Sequence, residues 1–420
     1  MTVPAHLSGN YAPVSEERTE TELKVTGTLP AELTGTYVRN GPNPRSGESP
    51  HWFVGDGMLH GVRLEGGRAA WYRNRYVDTH REFFRPDGSR DLTAGAANTH
   101  VVRHAGRTFA LVESSFPYEV TADLDTVGPY DFDGRLTTAM TAHPKICPTT
   151  GELHFFGYGW GRPPYLTYHR ADAAGELVVS RDVEVPGATM MHDFHLTDRH
   201  VVFMDLPIVF SLDLVDKGLP YKWDPSYGAR LGVLRRDDPH GAVRWFEIEP
   251  CYVFHALNAH EEGDRIVLHV MRMPSADESK AVGISSSLWR WTVDLASGTV
   301  REEQLDDRVA EFPRIDDRLA GLPATVGYTV TDRALVRYDL ARGTSIAHEF
   351  GPGRTPNEFA FAAADDRAGG AGWLLGYVYD AMTDTSDLVV RDAETLEAVA
   401  AVHLPVRVPF GFHGDWFAAR

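Results

Sequence analysis

Short runs of β-branched, aromatic and aliphatic residues, separated by glycine-rich turns, organise the chain from Gly35 to its end. Residues 35–39, 58–64 and 69–72 are such runs, and Glu65-Gly66-Gly67 between the last two is a hairpin signal. The same pattern recurs at 108–112, 153–156, 200–204, 265–270, 287–293, 335–338, 373–379 and 388–390, with turns such as Glu262-Gly263-Asp264 and Ala296-Ser297-Gly298 between. Stretches with helical periodicity are scarce. Many short antiparallel strands over more than 350 residues predict an all-β fold, a propeller or a large sandwich or barrel. Residues 1–34 are polar and weakly patterned and are expected to form an N-terminal arm, with a short helical turn at 29–33; residues 35–420 are expected to be one domain.

Four histidines punctuate this pattern. Pro250-Cys251-Tyr252-Val253-Phe254-His255 ends an apolar run in a histidine, where a strand is expected to hand over to a loop, and Asn258 follows. His143 in Thr141-Ala142-His143-Pro144-Lys145, His192 in Met190-Met191-His192-Asp193-Phe194 and His413 in Phe410-Gly411-Phe412-His413-Gly414 have a similar setting. Each alone reads as an ordinary hydrogen-bonding side chain. Together they predict a single metal site. The intervals between them are 49, 63 and 158 residues, the last about three times the others, which suits blades of roughly 50 to 60 residues in a seven-bladed propeller. Inner strands of such a fold converge on an axis where four blades can each contribute one histidine.

Composition narrows the function classes. The 420 residues carry a formal net charge of -18, which repels polyanions and argues against a nucleic-acid partner. Two cysteines, Cys147 and Cys251, make no disulfide framework, and the N-terminus lacks the basic and apolar segments of a signal peptide, so a cytoplasmic location is expected. The most apolar stretch, 201–214, is broken by Asp205, Pro207 and Asp213, too soon for a spanning helix. No Gly-x-Ser-x-Gly elbow supports a hydrolase, and no Gly-x-Gly-x-x-Gly supports a dinucleotide site.

Four neutral imidazoles suit iron, copper, zinc or nickel, and on an octahedral ion they leave two positions open. A structural zinc would not ordinarily draw its ligands from across a large domain, so iron(II) acting on dioxygen is the stronger expectation. Metal-bound histidines usually pass their second ring proton to a carboxylate. Glu113, Glu311 and Glu358 each sit among apolar or aromatic neighbours and are the candidates for that role, rim or edge-strand charge being the other reading of each.

The chain resembles the carotenoid cleavage oxygenases, a family that includes apocarotenoid oxygenases, lignostilbene dioxygenases and a retinoid isomerase. The resemblance rests on Gly35-Thr36-Tyr37-Val38-Arg39-Asn40-Gly41-Pro42-Asn43-Pro44, Trp52-Phe53-Val54-Gly55-Asp56-Gly57-Met58, Ala142-His143-Pro144-Lys145, His192-Asp193-Phe194, Phe254-His255 with Asn258-Ala259, and Phe410-Gly411-Phe412-His413-Gly414. It implies a seven-bladed propeller with an axial iron(II) bound by His143, His192, His255 and His413, under a dome of loops. It further implies that Glu113, Glu311 and Glu358 serve His192, His255 and His413 in that order. The implied reaction splits a conjugated double bond of a small lipophilic substrate with dioxygen, giving two carbonyl products; no obligate protein partner follows. The implied dome includes the segment 205–223, which in the family contacts membranes. Its apolar run 205–212 and the aromatics Tyr221, Trp223 and Tyr227 also suit plain core packing.

Stilbene-cleaving members tend to carry a lysine just before the first of the three glutamates; here that residue is Val112, which favours a polyene over a phenol. His260 stands where many members have an aromatic residue and reads as a loop or rim histidine, and His195 lies three residues after His192. Two alternatives stand beside a carotenoid or apocarotenoid dioxygenase: a stilbenoid or phenylpropanoid dioxygenase, and a non-catalytic propeller that keeps its metal for structure.

Overall fold

The computed structural model describes residues 3–215, 218–276 and 285–419. Seven sheets of four or five strands, joined mostly by short turns, form the blades of a seven-bladed β-propeller, with one separate two-stranded ribbon. Among the described residues the helical elements are single 3-10 turns. Every run expected to be a strand falls on one, Val112 alone lying a residue beyond Arg107–Leu111. The described chain forms two compact units, residues 1–130 with 326–420, and residues 131–325.

In the first unit, the C-terminal strand Gly414–Ala418 pairs antiparallel with Gly35–Pro42, so the end of the chain completes a blade begun near its start. Gly35–Pro42 is buried along its whole length. The N-terminal segment is more than an arm: Arg18–Glu20 pairs with Arg68–Tyr76, and Lys24–Gly27 pairs with Ala398–His403. Both are outermost strands with largely exposed side chains, held by main-chain bonds, so they carry no apolar alternation for a sequence pattern to reveal. The expected turn at 29–33 is present, closed by the Leu33 N–H donating to Pro30 O at 3.2 Å. Leu29 and Leu33 then pack with Tyr37, Val62, Tyr72 and Tyr377.

The second unit holds three complete four-stranded blades, of which the last runs from Tyr252–Glu262 to Thr299–Gln304. Val202, Met204, Leu231, Tyr252, Leu268 and Trp291 form its core. The ribbon Ile208–Phe210 with Tyr221–Trp223 lies within the segment 205–223, with Ile208 in this core and Tyr221 and Trp223 packed against it, as the core-packing reading of the segment expects. Its base is Asp205, fully buried, which accepts hydrogen bonds from Arg230 (2.9 Å), Tyr227 (3.0 Å) and Thr189 (3.2 Å). Burial pushes the Asp205 carboxyl up, against the pull of the Arg230 guanidinium. At the other end Leu212 is 78% exposed and Val215 48%, while Phe210 stacks on Trp160 with centroids 5.1 Å apart. Residues 216 and 217 of the segment lie outside the described residues. Among the described residues no helix is long and apolar enough to cross a membrane.

Candidate metal centre

His255 does not end a strand. It lies within the eleven-residue strand Tyr252–Glu262, at a β-bulge. Val253 pairs with Arg272 and Ala256 with Val270, so Phe254 and His255 together oppose Met271 alone. A bulge of two residues against one breaks the ladder locally and re-aims the side chain it carries. The Nδ1 of His255 lies 2.6 Å from Oε2 of Glu311, which also accepts the Phe312 N–H at 2.6 Å; the other oxygen, Oε1, accepts from the Ser286 hydroxyl at 3.2 Å. That second contact holds Phe312 at a φ of +53°, an uncommon conformation for so bulky a residue, and lays its ring against His255 at 5.6 Å.

His143 and His192 lie in loops that lead into Lys145–Ile146 and Phe194–Leu196, preceding their strands where the sequence suggested strand ends. The Thr141 hydroxyl accepts the His143 N–H and donates to the His192 carbonyl, each at 3.1 Å. The Tyr252 hydroxyl, three residues before His255, donates to Met190 O at 2.8 Å. Nε2 of His143 is 2.9 Å from Nε2 of His192, which is 3.3 Å from Nε2 of His255.

In the first unit a second bulge does for Glu358 what the first does for His255. Pro356 pairs with Val378 and Phe359 with Gly376, leaving Asn357 and Glu358 opposite Tyr377. Glu358 Oε1 lies 3.0 Å from His413 Nδ1, and Oε2 accepts the Gly414 N–H at 2.7 Å. His413 itself is tied down through its neighbours: its carbonyl accepts from Asn40 N at 2.9 Å, and the Phe412 N–H donates to Asn40 O at 3.0 Å.

The candidate ligand atoms of His143, His192, His255 and His413 all lie within 4.8 Å of one another. A metal–nitrogen bond of about 2.1 Å puts two adjacent imidazole nitrogens about 3 Å apart on an octahedral ion, close to the 2.9 and 3.3 Å separations here. With Nδ1 of His255 and His413 turned to carboxylates, each ring carries its proton there and leaves the Nε2 lone pair free for a cation. The donor set therefore fits a first-row transition metal.

Glu113 is half-buried two residues beyond the end of strand Arg107–Leu111. His195 is buried in the strand Phe194–Leu196, where burial pushes its imidazole down to about 3. His260 is no loop or rim residue: it sits in the strand Tyr252–Glu262 with its ring stacked on His269, in a stretch from His255 to His260 whose residues are all buried. Sequence reading passed over Asp193, Lys145, Thr141 and Phe312, all within quoted motifs or next to candidate residues. Their adjacency to His192, His143 and Glu311 was the available signal.

The family model described as retinal pigment epithelial membrane protein matches residues 11–418. A protein of Mycobacterium tuberculosis named carotenoid cleavage oxygenase is 40% identical over an alignment covering 98% of this chain and 97% of that protein. Carotenoid 9,10(9',10')-cleavage dioxygenase 1 of Arabidopsis thaliana is 34% identical, covering 98% and 90% respectively. Among solved structures, the lignostilbene dioxygenase of Pseudomonas brassicacearum superposes with a TM-score of 0.88 at 28% identity over the whole of both chains.

Proposed function

The chain belongs to the carotenoid cleavage oxygenase family, and from that premise we propose that it is a non-haem iron(II) dioxygenase splitting a conjugated double bond of a carotenoid or apocarotenoid into two carbonyl products. The observation that carries the reading is the cluster of four imidazoles whose ligand atoms lie within 4.8 Å. Four neutral ligands leave a divalent ion its full charge and two free positions on an octahedron. Iron(II) held there by His143, His192, His255 and His413 would supply the activation of dioxygen.

The protein's own residues have simpler tasks. Glu311 and Glu358 hold His255 and His413 in the orientation and tautomer that a metal requires, and we assign Glu113 the same service to His192. The rings of Phe312 and Phe254 flank His255 and His192 and shield them from water. No proton transfer is called for: one alkene and one dioxygen contain every atom of the two carbonyl products, so the centre needs no general acid or base.

Val112, immediately before Glu113, gives a phenolic oxygen no cation to bind and favours a polyene. The close superposition on a lignostilbene dioxygenase keeps the stilbenoid reading as the second one. Iron(II)-loaded protein incubated in air with carotenoids, apocarotenals and hydroxystilbenes, with an anaerobic control, separates them by mass spectrometry of the products. Oxygen-dependent apocarotenoid fragments are expected. Benzaldehydes in their place would establish the stilbenoid activity. Absence of any carbonyl product at full iron occupancy would overturn cleavage, and a rearranged product of unchanged mass would indicate isomerisation.

A lipophilic substrate is held in membranes, and the exposed tip of the 205–223 segment is suited to reach one. Its apolar Leu212 and Val215 are a peripheral contact in this reading. Replacing both by serine is expected to lower co-sedimentation with liposomes while iron content stays at the wild-type level. Equal binding by the variant would remove this segment from the contact.

A further inference from the structure

Asp193 is a buried carboxylate that touches three histidine-bearing segments at once. Its Oδ1 lies 2.8 Å from the Lys145 ammonium, two residues beyond His143, and accepts the Phe194 N–H at 2.7 Å, within the segment of His192. Its Oδ2 accepts the Ala256 N–H at 2.8 Å, next to His255. Lys145 is 23% exposed and the Asp193 side chain 2%. We propose that Asp193 and Lys145 are a positioning pair that sets the spacing of His143, His192 and His255, and hence the affinity and geometry of the metal centre. The proposal rests on those three histidines being ligands.

The chemistry of the pair fits this task better than it fits general stability. Every group facing Asp193 in these contacts is a donor: one ammonium and two backbone N–H groups. An ionised carboxylate accepts on both oxygens, whereas an amide would turn its NH2 toward one of those donors. The two N–H contacts alone would leave a buried charge without a counter-charge, and a lone buried charge is costly. Lys145 supplies the counter-charge, and it does so from the segment of His143, so neutralising Asp193 also fixes that segment. The Thr141 hydroxyl bridges the same two segments on the other side of His143, which leaves the loop held at both ends. Partners just outside a ligand set orient the ligands and tune metal affinity.

Metal-free full-length protein titrated with cobalt(II), followed by visible absorption, tests the pair. Wild type is expected to take up one cobalt(II) ion per chain. Asp193→Asn is expected to weaken uptake by about 10- to 100-fold and Lys145→Met by about tenfold, each with a changed absorption band. Lys145→Arg, which keeps the charge, is expected to retain wild-type affinity within a few-fold. Because the residues act as one unit, the double variant is expected to be no weaker than Asp193→Asn. General destabilisation would produce neither the altered spectrum nor the rescue by arginine. Wild-type affinity and spectrum in Lys145→Met would overturn the proposal, even where Asp193→Asn fails to fold. Failure of wild type to bind cobalt(II) would overturn the ligand reading beneath it, and that outcome is visible before any variant is compared.

Discussion

Replacing His255 by alanine is expected to empty most of the metal centre and abolish cleavage. The imidazole is one of four candidate ligands, and its Nε2 lies 3.3 Å from that of His192. Its loss has a second consequence, because Glu311 would then be a buried carboxylate facing space where a ring N–H had been. One donor, the Phe312 N–H, would remain to it in full, since the single Ser286 hydroxyl proton lies closer to Ala310 O (2.6 Å) than to Glu311 (3.2 Å). Glu311→Gln separates these effects: the ligand stays, but Nδ1–H would face a neutral amide in place of a carboxylate. One oxygen of the amide can still accept from His255 and Phe312, while its NH2 would point at the Ser286 hydroxyl, which already donates to Ala310 O. Iron affinity in Glu311→Gln is expected to fall by about 10- to 100-fold, with residual cleavage restored by excess iron(II). Metal analysis after gel filtration, together with turnover at increasing iron, checks both. Wild-type iron content in His255→Ala would remove His255 from the ligand set, and unchanged affinity in Glu311→Gln would reduce Glu311 to a structural partner of Phe312.

The runs legible in the sequence are middle strands of their blades, which read as compact apolar runs between turns. Leu166–Ala171, Ala229–Arg235 and, apart from Tyr252–Glu262, the sheet-end strands such as Phe194–Leu196 and Arg354–Ala363 were not among the expected runs. His200–Asp205 is buried throughout and was found from its composition alone. Arg18–Glu20 and Lys24–Gly27 were not, since they lie on blade edges and owe their place to backbone pairing with strands 50 or more residues away in sequence. The bulges were hidden for another reason. Alternation has a period of two, and it cannot show that Phe254 and His255, or Asn357 and Glu358, share one partner residue across the ladder. A histidine at such a point therefore looked like the end of a strand. The candidate metal residues were legible as residue types in recognisable motifs. What joins them was not: Ala256 donates to Asp193 across 63 positions, and no spacing rule connects the two.

The largest expected effect on the fold comes from a methyl group. Gly411 lies two residues before His413, and a Cβ built there would fall 1.6 Å from Nη1 of Arg39, 2.5 Å from its Cζ and 2.8 Å from the Asn40 carbonyl oxygen. Gly41 is similarly close, with Gly411 Cα 2.7 Å and Arg39 Nη1 3.0 Å from its would-be Cβ. The guanidinium thus threads between two glycines. It cannot swing away cheaply, because Arg39 is 1% exposed and its Nη2 donates to Pro409 O at 2.7 Å. Burial also holds the guanidinium's pKa down, the nearby Tyr37, Tyr377, Tyr72 and Glu358 opposing that shift. Gly411→Ala must therefore displace backbone, and the strand pairing through Asn40 passes the displacement to Phe412 and His413. Overpacking of this kind costs about 1–3 kcal/mol, so a lowered thermal midpoint is expected together with weakened iron binding. Gly159→Ala is the control, since nothing lies within 4 Å of its would-be Cβ and a near-neutral result is expected there. If Gly411→Ala melts with wild type and keeps its iron, the close approach of Arg39 does not constrain His413, and the two glycines need another explanation.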